Sequence, residues 1–338
     1  MARAPKRTRP TYHPAGHDAA LRGALQDLRA GRWLAMRDLL NASAGGRQWT
    51  QRTQVLAAAA AGSDLVQAWR TDEPNNPVAA VMHARVEVER ALRAHREGHQ
   101  RLREPWLRAW EACRQAAFAA PDDPVPWVCL LALARLDEAQ EWDEHRVAPP
   151  EPMLPPGPWG LLAEADKRDP QNREAYHRML QFMFGRRNGG RLSEAINFTQ
   201  WAASSATLGS SLHLLPLYVR VERYRRQDGR DAALDLHWVA EDATREATVA
   251  LERWFGYTPP AEASLLDLSH LAHALWGSHQ FTAGARVFSA LDPYYVAVPW
   301  THRVAPALAD ESPGTAALDL FVQARARCDA AERSARGG

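Results

Sequence analysis

Two adjacent carboxylates, Asp122 and Asp123, stand just before an apolar run in the stretch APDDPVPWVCLLALARL. Paired aspartates can hold a metal ion or divide the roles of acid and base. Asp also starts helices, because its side-chain oxygen accepts the free N–H groups of a first helical turn. A metal site would need further ligands that converge on the pair, whereas a helix start needs only a local pattern.

The local pattern recurs along the chain. PNNPV at residue 74, PDDPV at residue 121 and PQNRE at residue 170 each precede a helical periodicity. The third position holds Asn76, Asp123 or Asn172, and Asn can replace Asp as a cap but not as a charged base or ligand. Proline next to the cap suits a first turn, where its missing N–H costs nothing. We therefore predict that Asp123 caps a helix and that Pro124 lies in its first turn.

Histidines form a second candidate group. His270 and His273 are one helical turn apart and could reach one metal ion, with His279 or Glu262 as a third ligand. The segment contains no HExxH motif, and its apolar spacing already explains it as part of a helix pair. The first interpretation is a metal-dependent enzyme on an all-α scaffold, and the second is a set of surface or groove histidines, with His270 partly exposed.

The stretch RVERYRRQDGR, residues 220–230, interleaves arginine with tyrosine. Such a stretch can grip phosphates and stack bases, bind an acidic protein surface, or be a solvated helix face. The whole chain carries 41 basic and 40 acidic residues, a formal net charge of +1. The global positive field of a nonspecific nucleic-acid binder is therefore missing, and nucleic acid is not the expected partner.

Tryptophans are numerous, 13 in all, and most lie at helical spacing from other apolar residues. Trp300 instead lies beside a proline in a predicted loop; burial is the default for a tryptophan, but an exposed ring there would anchor a partner. The predicted partner-binding residues are Arg220, Arg223, Tyr224, Arg226, His270, His273 and Trp300.

Motifs for nucleophilic or phosphate chemistry are absent from the sequence. It contains neither a GxSxG elbow nor a GxxxxGK[ST] loop, and its three cysteines have no CxxC spacing. No catalytic residue, cofactor or metal is predicted, and a reducing cytoplasm fits the cysteine pattern.

Apolar residues recur at three- and four-residue steps over most of the chain, and alternating strand patterns are missing, which predicts an all-α fold. In LSHLAHALWGSHQFTAGARVF, residues 268–288, small and apolar residues follow the spacing of two short antiparallel helices. This segment resembles the tetratricopeptide repeat. Helix pairs of this kind stack on their neighbours, so the resemblance implies an α-solenoid with a concave face.

The order of several motifs adds a wider resemblance. AGRWLAMRDLL, WRTDEPNNP, AAPDDPVPW, DPQNREAYHRML and FSALDPYYVAVPW follow one another as in a group of uncharacterised bacterial proteins with tetratricopeptide-like folds. The likeness covers roughly residues 20–325 and implies the fold without implying an activity.

The predicted organisation has five parts. They are a disordered basic lead-in (1–16), N-terminal helical repeats (17–146), an extended proline-rich loop (147–158), C-terminal repeats with a capping helix (159–332) and a disordered tail (333–338). No stretch approaches the length of a membrane span, so no membrane partner is expected. The leading hypothesis is a non-catalytic, cytoplasmic scaffold that binds a protein or peptide. The alternatives are the metal-dependent enzyme and the nucleic-acid binder.

Overall fold

A computed structural model describes residues 9–46, 48–99, 103–186, 192–226, 236–304 and 313–337. Within these ranges the regular structure is helical, which confirms the all-α prediction. Extended pairing is limited there to two isolated bridges, one between Thr11 and Tyr294 and one between Val147 and Gly157. Across the same ranges, no helix combines the length and the apolar composition of a membrane-spanning segment.

The described α-helices follow one another along the chain, with the longest connections before α8 and α16. They are α1 (Ala19–Arg29), α2 (Leu34–Ser43), α3 (Trp49–Ala60), α4 (Leu65–Asp72), α5 (Pro77–Arg96), α6 (Arg103–Ala119), α7 (Val125–Ala134), α8 (Trp159–Arg168), α9 (Arg173–Gly185), α10 (Leu192–Ser204), α11 (Leu215–Arg226), α12 (Leu236–Val239), α13 (Glu241–Arg253), α14 (Leu265–Gly277), α15 (Phe281–Leu291) and α16 (Pro313–Gly337).

The chain divides into two compact units. One contains residues 18–198 and is called the 18–198 unit; the other contains residues 199–338 together with the N-terminal residues up to His17 and is called the 199–338 unit. The division falls within α10, whereas the proline-rich segment 147–158, predicted to separate two helical halves, lies inside the 18–198 unit.

The three repeated start signals each open a helix, as the sequence predicts. Asn76 accepts the N–H groups of Val78 and Ala79 at the start of α5, with Pro77 in its first turn. Asn172 accepts the N–H of Ala175 in α9. At α7 the carboxylate of Asp123 accepts the N–H of Val125, 2.8 Å away, and Pro124 already has helical backbone angles. The local pattern therefore predicted three helix boundaries correctly.

The helix pair predicted over residues 268–288 corresponds to α14 and α15, which are joined by a three-residue turn. Its small residue has a packing role, because a Cβ built on Gly284 would lie 2.9 Å from the Sγ of Cys328 in α16. A larger side chain at this position would hold α15 and α16 apart. The sequence also predicts a turn in GRRNGGR, residues 185–191, and another around Gly229. Residues 187–191 and 227–235, where these turns fall, lie outside the described residues.

The proline-rich segment 147–158 contains no helix, but it is not extended. The N–H of Gly157 donates to the carbonyl of Val147 at 3.1 Å, so the segment closes on itself. Leu154, within the segment, is buried, and the indole N–H of Trp159 donates to the carbonyl of Pro155 at 2.9 Å. Burial of these side chains favours a closed loop over the extended spacer that composition alone predicts.

The two chain ends also differ from the sequence prediction. Residues 9–16 were predicted to be disordered, yet Pro10, Ala15 and Gly16 are buried within the 199–338 unit; residues 1–8 lie outside the described ranges. The predicted capping helix is α16, which buries Phe321 and Cys328 and continues to Gly337, through most of the predicted tail.

Candidate functional site

Four of the seven predicted partner-binding residues meet in one cluster of the 199–338 unit. Tyr224 comes from α11, His270 and His273 come from α14, and Trp300 begins a short 3-10 turn, Trp300–Arg303. All four side chains are buried, with exposed fractions of 9% for Tyr224, 2% for His270, 1% for His273 and 0% for Trp300. The partial exposure expected for His270 and the partner-binding role expected for all four residues are therefore corrected: their side chains belong to the core.

Arg303 supplies the positive charge of this cluster. Its Cζ lies 4.8 Å from the ring centre of Trp276 and 5.9 Å from those of Trp238 and Tyr224. A guanidinium is weakly hydrated and planar, so aromatic faces can hold it through cation–π attraction. Sequence reasoning missed Arg303, since neither its type nor its spacing differs from that of the many other arginines.

His273 lies among aromatic rings. Its imidazole contacts Trp238 and Trp300 edge-on, with ring centres 4.6 and 5.1 Å apart. Neither ring nitrogen has a hydrogen-bond partner among the described residues. Burial, followed by the charges of Arg303, His270 and His302, holds the pKa of His273 well below its usual value. The side chain is a neutral packing residue, which a metal ion or a partner in solution cannot reach.

His270 is fixed by two contacts of its own. Its ring stacks on Tyr218 at 3.7 Å, and its Nδ1 donates to the carbonyl of Leu266 at 2.8 Å. The hydroxyl of Tyr218 in turn donates to the buried carboxylate of Asp267. A nitrogen bonded to its own helix cannot also bind a metal, so Nδ1 is excluded as a ligand.

Trp300 is a hydrogen-bonded core residue. Its indole N–H donates to the hydroxyl of Ser269 at 3.0 Å, and that hydroxyl donates to the carbonyl of Val298 at 3.1 Å. The proline beside Trp300 predicted a loop correctly but did not predict burial, because burial depends on α14 and α16 packing around the turn. A buried tryptophan with a satisfied N–H contributes to stability and presents no surface to a partner.

The described part of the chain contains no set of ligands for the metal ion of the enzyme hypothesis. No group of three His, Cys, Asp or Glu side chains there could hold an ion. His279 is exposed in the α14–α15 turn, with a φ of 61°, and Glu262 is exposed before α14. The spacing along the helix placed His270 and His273 together, but the further ligands do not converge on them.

The arginines of α11 are mostly neutralised. Arg220, whose side chain is 14% exposed, pairs with Asp242 and Glu246 of α13. Arg226 pairs with Glu222, while Arg223 is exposed. Tyr224 is buried and cannot stack on a base. The remainder of the predicted stretch, residues 227–230, lies outside the described ranges. In the part that is described, Arg220, Arg225 and Arg226 are paired with carboxylates, which reduces the charge available to a nucleic acid.

Asp123 has a structural role beyond its cap. Besides the N–H of Val125, its carboxylate accepts the indole N–H of Trp49 at 2.9 Å, a contact that joins α3 to the start of α7. Burial raises the pKa of Asp123, although both hydrogen bonds oppose that rise. Its neighbour Asp122 is exposed. The two carboxylates therefore do not act as a pair.

The strongest electrostatic feature of the 18–198 unit was not predicted. The guanidinium of Arg85 in α5 donates to both carboxylate oxygens of Glu174 in α9, each at 2.7 Å, with both side chains at least 95% buried. Arg178 adds two more charge-assisted bonds to Glu174, from Nη2 at 2.8 Å and from Nε at 3.1 Å. Burial alone would raise the pKa of Glu174, but the two arginines hold it at about 2. Arg85 and Glu174 are 89 residues apart, and no local pattern marks them as partners.

A buried histidine lies in the 18–198 unit as well. The Nδ1 of His145 is 2.8 Å from a carboxylate oxygen of Asp137, and its ring packs against Trp106 and Trp110. Burial lowers the pKa of His145, and the hydrogen bond that His145 donates to Asp137 opposes that effect. An Asp–His pair can act in catalysis when the distal nitrogen reaches a substrate, but His145 is 0% exposed.

The three cysteines are free and buried. Burial raises the pKa of the Cys328 thiol to about 12 and raises that of Cys113 well above its usual value. Thiolates are the reactive form of cysteine, so neither side chain is set up as a nucleophile. The chemically active residue types of the described chain are thus employed in packing, capping and internal ion pairs.

Comparison with known proteins adds no relationship to this picture. No protein-family model matches the chain, and neither a curated protein nor a solved structure shows significant similarity to it. The likeness to tetratricopeptide proteins therefore rests on the sequence motifs alone.

Proposed function

We propose that this chain is a non-catalytic helical-repeat scaffold that binds another protein or a peptide. The observation that carries the proposal is the repetition of one helix start, capped by Asn76, Asp123 and Asn172. Two of these caps also bond to neighbouring residues of α3: Asp123 to Trp49 and Asn172 to Thr50. Recurring helix starts joined to a shared neighbour support stacked helix pairs, and hence an α-solenoid with a concave binding face.

The 18–198 unit offers a surface for such a partner. Leu107, Glu111, Arg114 and Phe118 are spaced at three or four residues on α6 and are all exposed, 90% in the case of Phe118. We call these four residues the α6 stripe. It lies opposite the buried face of α6, and its mixture of apolar and charged side chains is typical of a transient protein interface.

Two observations weigh against the rival functions. The histidines of the metal-dependent enzyme are buried and hold no third ligand among the described residues. Of the arginines proposed to bind nucleic acid, Arg220 and Arg226 are paired with carboxylates. A cytoplasmic location is part of the proposal, since the three cysteines are all free.

The proposal is tested with the full-length chain as bait. Partners are recovered by affinity capture and mass spectrometry, and each is then titrated, as purified protein, against the wild type and against Leu107→Ser/Phe118→Ser. Both residues are exposed, so the double variant should unfold within about 0.5 kcal/mol of the wild type. We expect it to lose at least about tenfold in affinity.

The matched control is Leu208→Ser, which removes an apolar side chain that is 55% exposed in the 199–338 unit. It should leave binding unchanged. Repeated captures that yield no partner with a measurable dissociation constant would contradict the proposal. So would stoichiometric zinc or iron in the purified chain that disappears in His273→Leu.

A further inference from the structure

An N-terminal segment, residues 9–17, belongs to the 199–338 unit and is joined to Tyr294 by one isolated β-bridge. The N–H of Thr11 donates to the carbonyl of Pro293 at 3.2 Å, and the N–H of Tyr295 donates to the carbonyl of Thr11 at 3.0 Å. These bonds form a parallel bridge between Thr11 and Tyr294. The segment is therefore held by main-chain pairing with residues almost 300 positions further along the chain.

Three side-chain features fix the other end of the segment. Ala15 is 1% exposed. Gly16 has a φ of 51°, and a Cβ at this position would lie 3.1 Å from the side chain of Leu265. The Nε2 of His17 donates to the carbonyl of Ala290 at 2.9 Å, and its ring meets Tyr294 edge-on at 4.9 Å.

The contacts of residues 9–17 show which of their side chains the 199–338 unit recognises and which it does not. Thr11 contributes only its backbone, and the side chain of Tyr12 is 64% exposed. Selectivity comes from the small residue, the glycine and the histidine that follow. Residues 14–17 form a turn, in which the N–H of Gly16 donates to the carbonyl of His13 at 3.0 Å, so the segment combines one main-chain bridge with a turn that positions these residues. Main-chain pairing combined with a few specific side-chain positions is a recurring way of binding a peptide.

We propose that the surface formed by Leu265, Ala290 and residues 293–295 is a peptide-binding groove, and that residues 9–17 occupy it as an internal ligand. We call this surface the 290–295 groove. Its external ligand is a segment of a partner protein that pairs through one backbone residue and then turns, which places a small residue, glycine and histidine four to six positions after that residue. The groove lies in the 199–338 unit and does not depend on the α6 stripe, so the two proposals can fail separately.

Tethering explains how the groove stays occupied. A segment on the same chain has an effective concentration of about millimolar, so an external peptide of equal intrinsic affinity competes poorly until the internal segment is weakened. The prediction is that weakening residues 9–17 opens the groove to the same sequence added in solution.

The test uses the full chain carrying Ala15→Asp/His17→Ala and a fluorescent synthetic peptide, RPTYHPAGH, which corresponds to residues 9–17. We expect the double variant to bind this peptide at least about tenfold more tightly than the wild type does. Hydrogen exchange at the Tyr295 N–H should become faster in the variant and slow again when peptide is added. A peptide ending in alanine in place of histidine should bind about tenfold more weakly.

The control variant is Tyr12→Ser, which changes an exposed side chain of the same segment and should behave as the wild type does. If the double variant does not fold, Thr11→Pro replaces it, because this change removes only the N–H donated to Pro293. A folded variant, with α14 and α15 amides protected as in the wild type, that binds no peptide would overturn the proposal. Dimerisation of the variant without any gain in peptide binding would also overturn it, since the segment would then be exchanged between two copies of the chain.

Discussion

Two buried sites, one in each unit, accommodate their titratable groups in opposite ways. In the 18–198 unit, Arg85 and Glu174 are charged, and each hydrogen-bonds to the other. In the 199–338 unit, His273 is neutral and lies among tryptophan rings, without a hydrogen-bond partner in the described part of the chain. A buried charge is tolerated only with its counter-charge, whereas a buried imidazole is tolerated by giving up its proton. The first arrangement depends on a partner residue and the second depends on pH.

The pH ranges of the two arrangements differ accordingly. The pKa of Glu174 is lowered to about 2, so its contribution to stability is complete above about 4.5 and is lost as the pH falls toward 2. The pKa of His273 is lowered from an ordinary value of 6.5, so the unfolded chain takes up the proton first. Its contribution is complete above 6.5 and declines as soon as the pH falls below that value.

The largest expected effect comes from removing one partner of the buried ion pair. Glu174→Leu leaves Arg85 charged and uncompensated, and we expect the free energy of unfolding to fall by about 3–5 kcal/mol. The double variant Arg85→Met/Glu174→Leu removes the charges of Arg85 and Glu174 and should recover part of that loss; Arg178, whose side chain is 11% exposed, still loses its bonds to Glu174. Urea titrations of the two variants and the wild type make the measurement.

The matched control for the ion pair is Glu104→Ala in α6. Glu104 pairs with Arg108, but their side chains are 79% and 57% exposed, so the change should cost less than about 0.5 kcal/mol. Equal destabilisation of the single and double variants at Arg85 and Glu174 would show that charge compensation is not what stabilises the 18–198 unit.

The second prediction concerns packing in the 199–338 unit. Gly284→Ala brings a methyl group to 2.9 Å from the Sγ of Cys328, and we expect a loss of about 2 kcal/mol. Adding Cys328→Ala makes room for the methyl group and should restore part of the stability. Gly23→Ala in α1 is the control: nothing lies within 4 Å of its new Cβ, so helix propensity should stabilise the chain by roughly 0.5–1 kcal/mol. Similar losses in both glycine variants would contradict the close helix contact.

The third prediction tests the pH dependence of the 199–338 unit. Below pH 6.5, the wild type should lose up to about 1.4 kcal/mol of stability per pH unit through His273, and His273→Leu should remove this part of the slope. Phe288→Leu is the control, because it weakens the same core without removing a titratable group. Parallel pH profiles for His273→Leu and the wild type would mean that the pKa of His273 is the same in the folded and unfolded chains, and would contradict the prediction.

The smallest effect is expected at a helix start. Asn76→Ala removes the acceptor for the N–H groups of Val78 and Ala79 and should cost about 1 kcal/mol. Asn76→Asp keeps the side-chain oxygen and should cost less. The comparison is made by thermal unfolding, and an equal cost for both variants would indicate that the amide donated by Asn76 to Glu73, rather than the cap, is responsible.

Local patterns predicted the helix starts and the α14–α15 pair, because both depend on residues within a few positions of one another. The same reasoning correctly placed His270 and His273 on one helix and Trp300 in a loop. It could not predict their burial, which depends on α11, α12 and α16 packing around them. Exposure of a residue at the end of an element is a property of the whole fold.

The missed features are all long-range. Arg85 and Glu174 are separated by 89 positions, and Trp49 and Asp123 by 74. The pairing of Thr11 with Tyr295 joins opposite ends of the chain, and the basic, proline-containing N-terminal sequence indicated disorder instead. The type of a charged or capping residue shows which kinds of group it can bond to. Which residue it actually bonds to depends on how the helices pack.

The central claim is that the residues best suited to chemistry in this chain are buried structural residues, and His273 tests it most directly. The measurement is a pH titration of the histidine ring resonances by NMR, with His273→Leu used for assignment. We predict that the His273 resonance does not titrate over about one pH unit on either side of 6.5 and is insensitive to added zinc. Titration near 6.5, or a shift on addition of zinc, would place His273 in contact with solvent and would contradict the account.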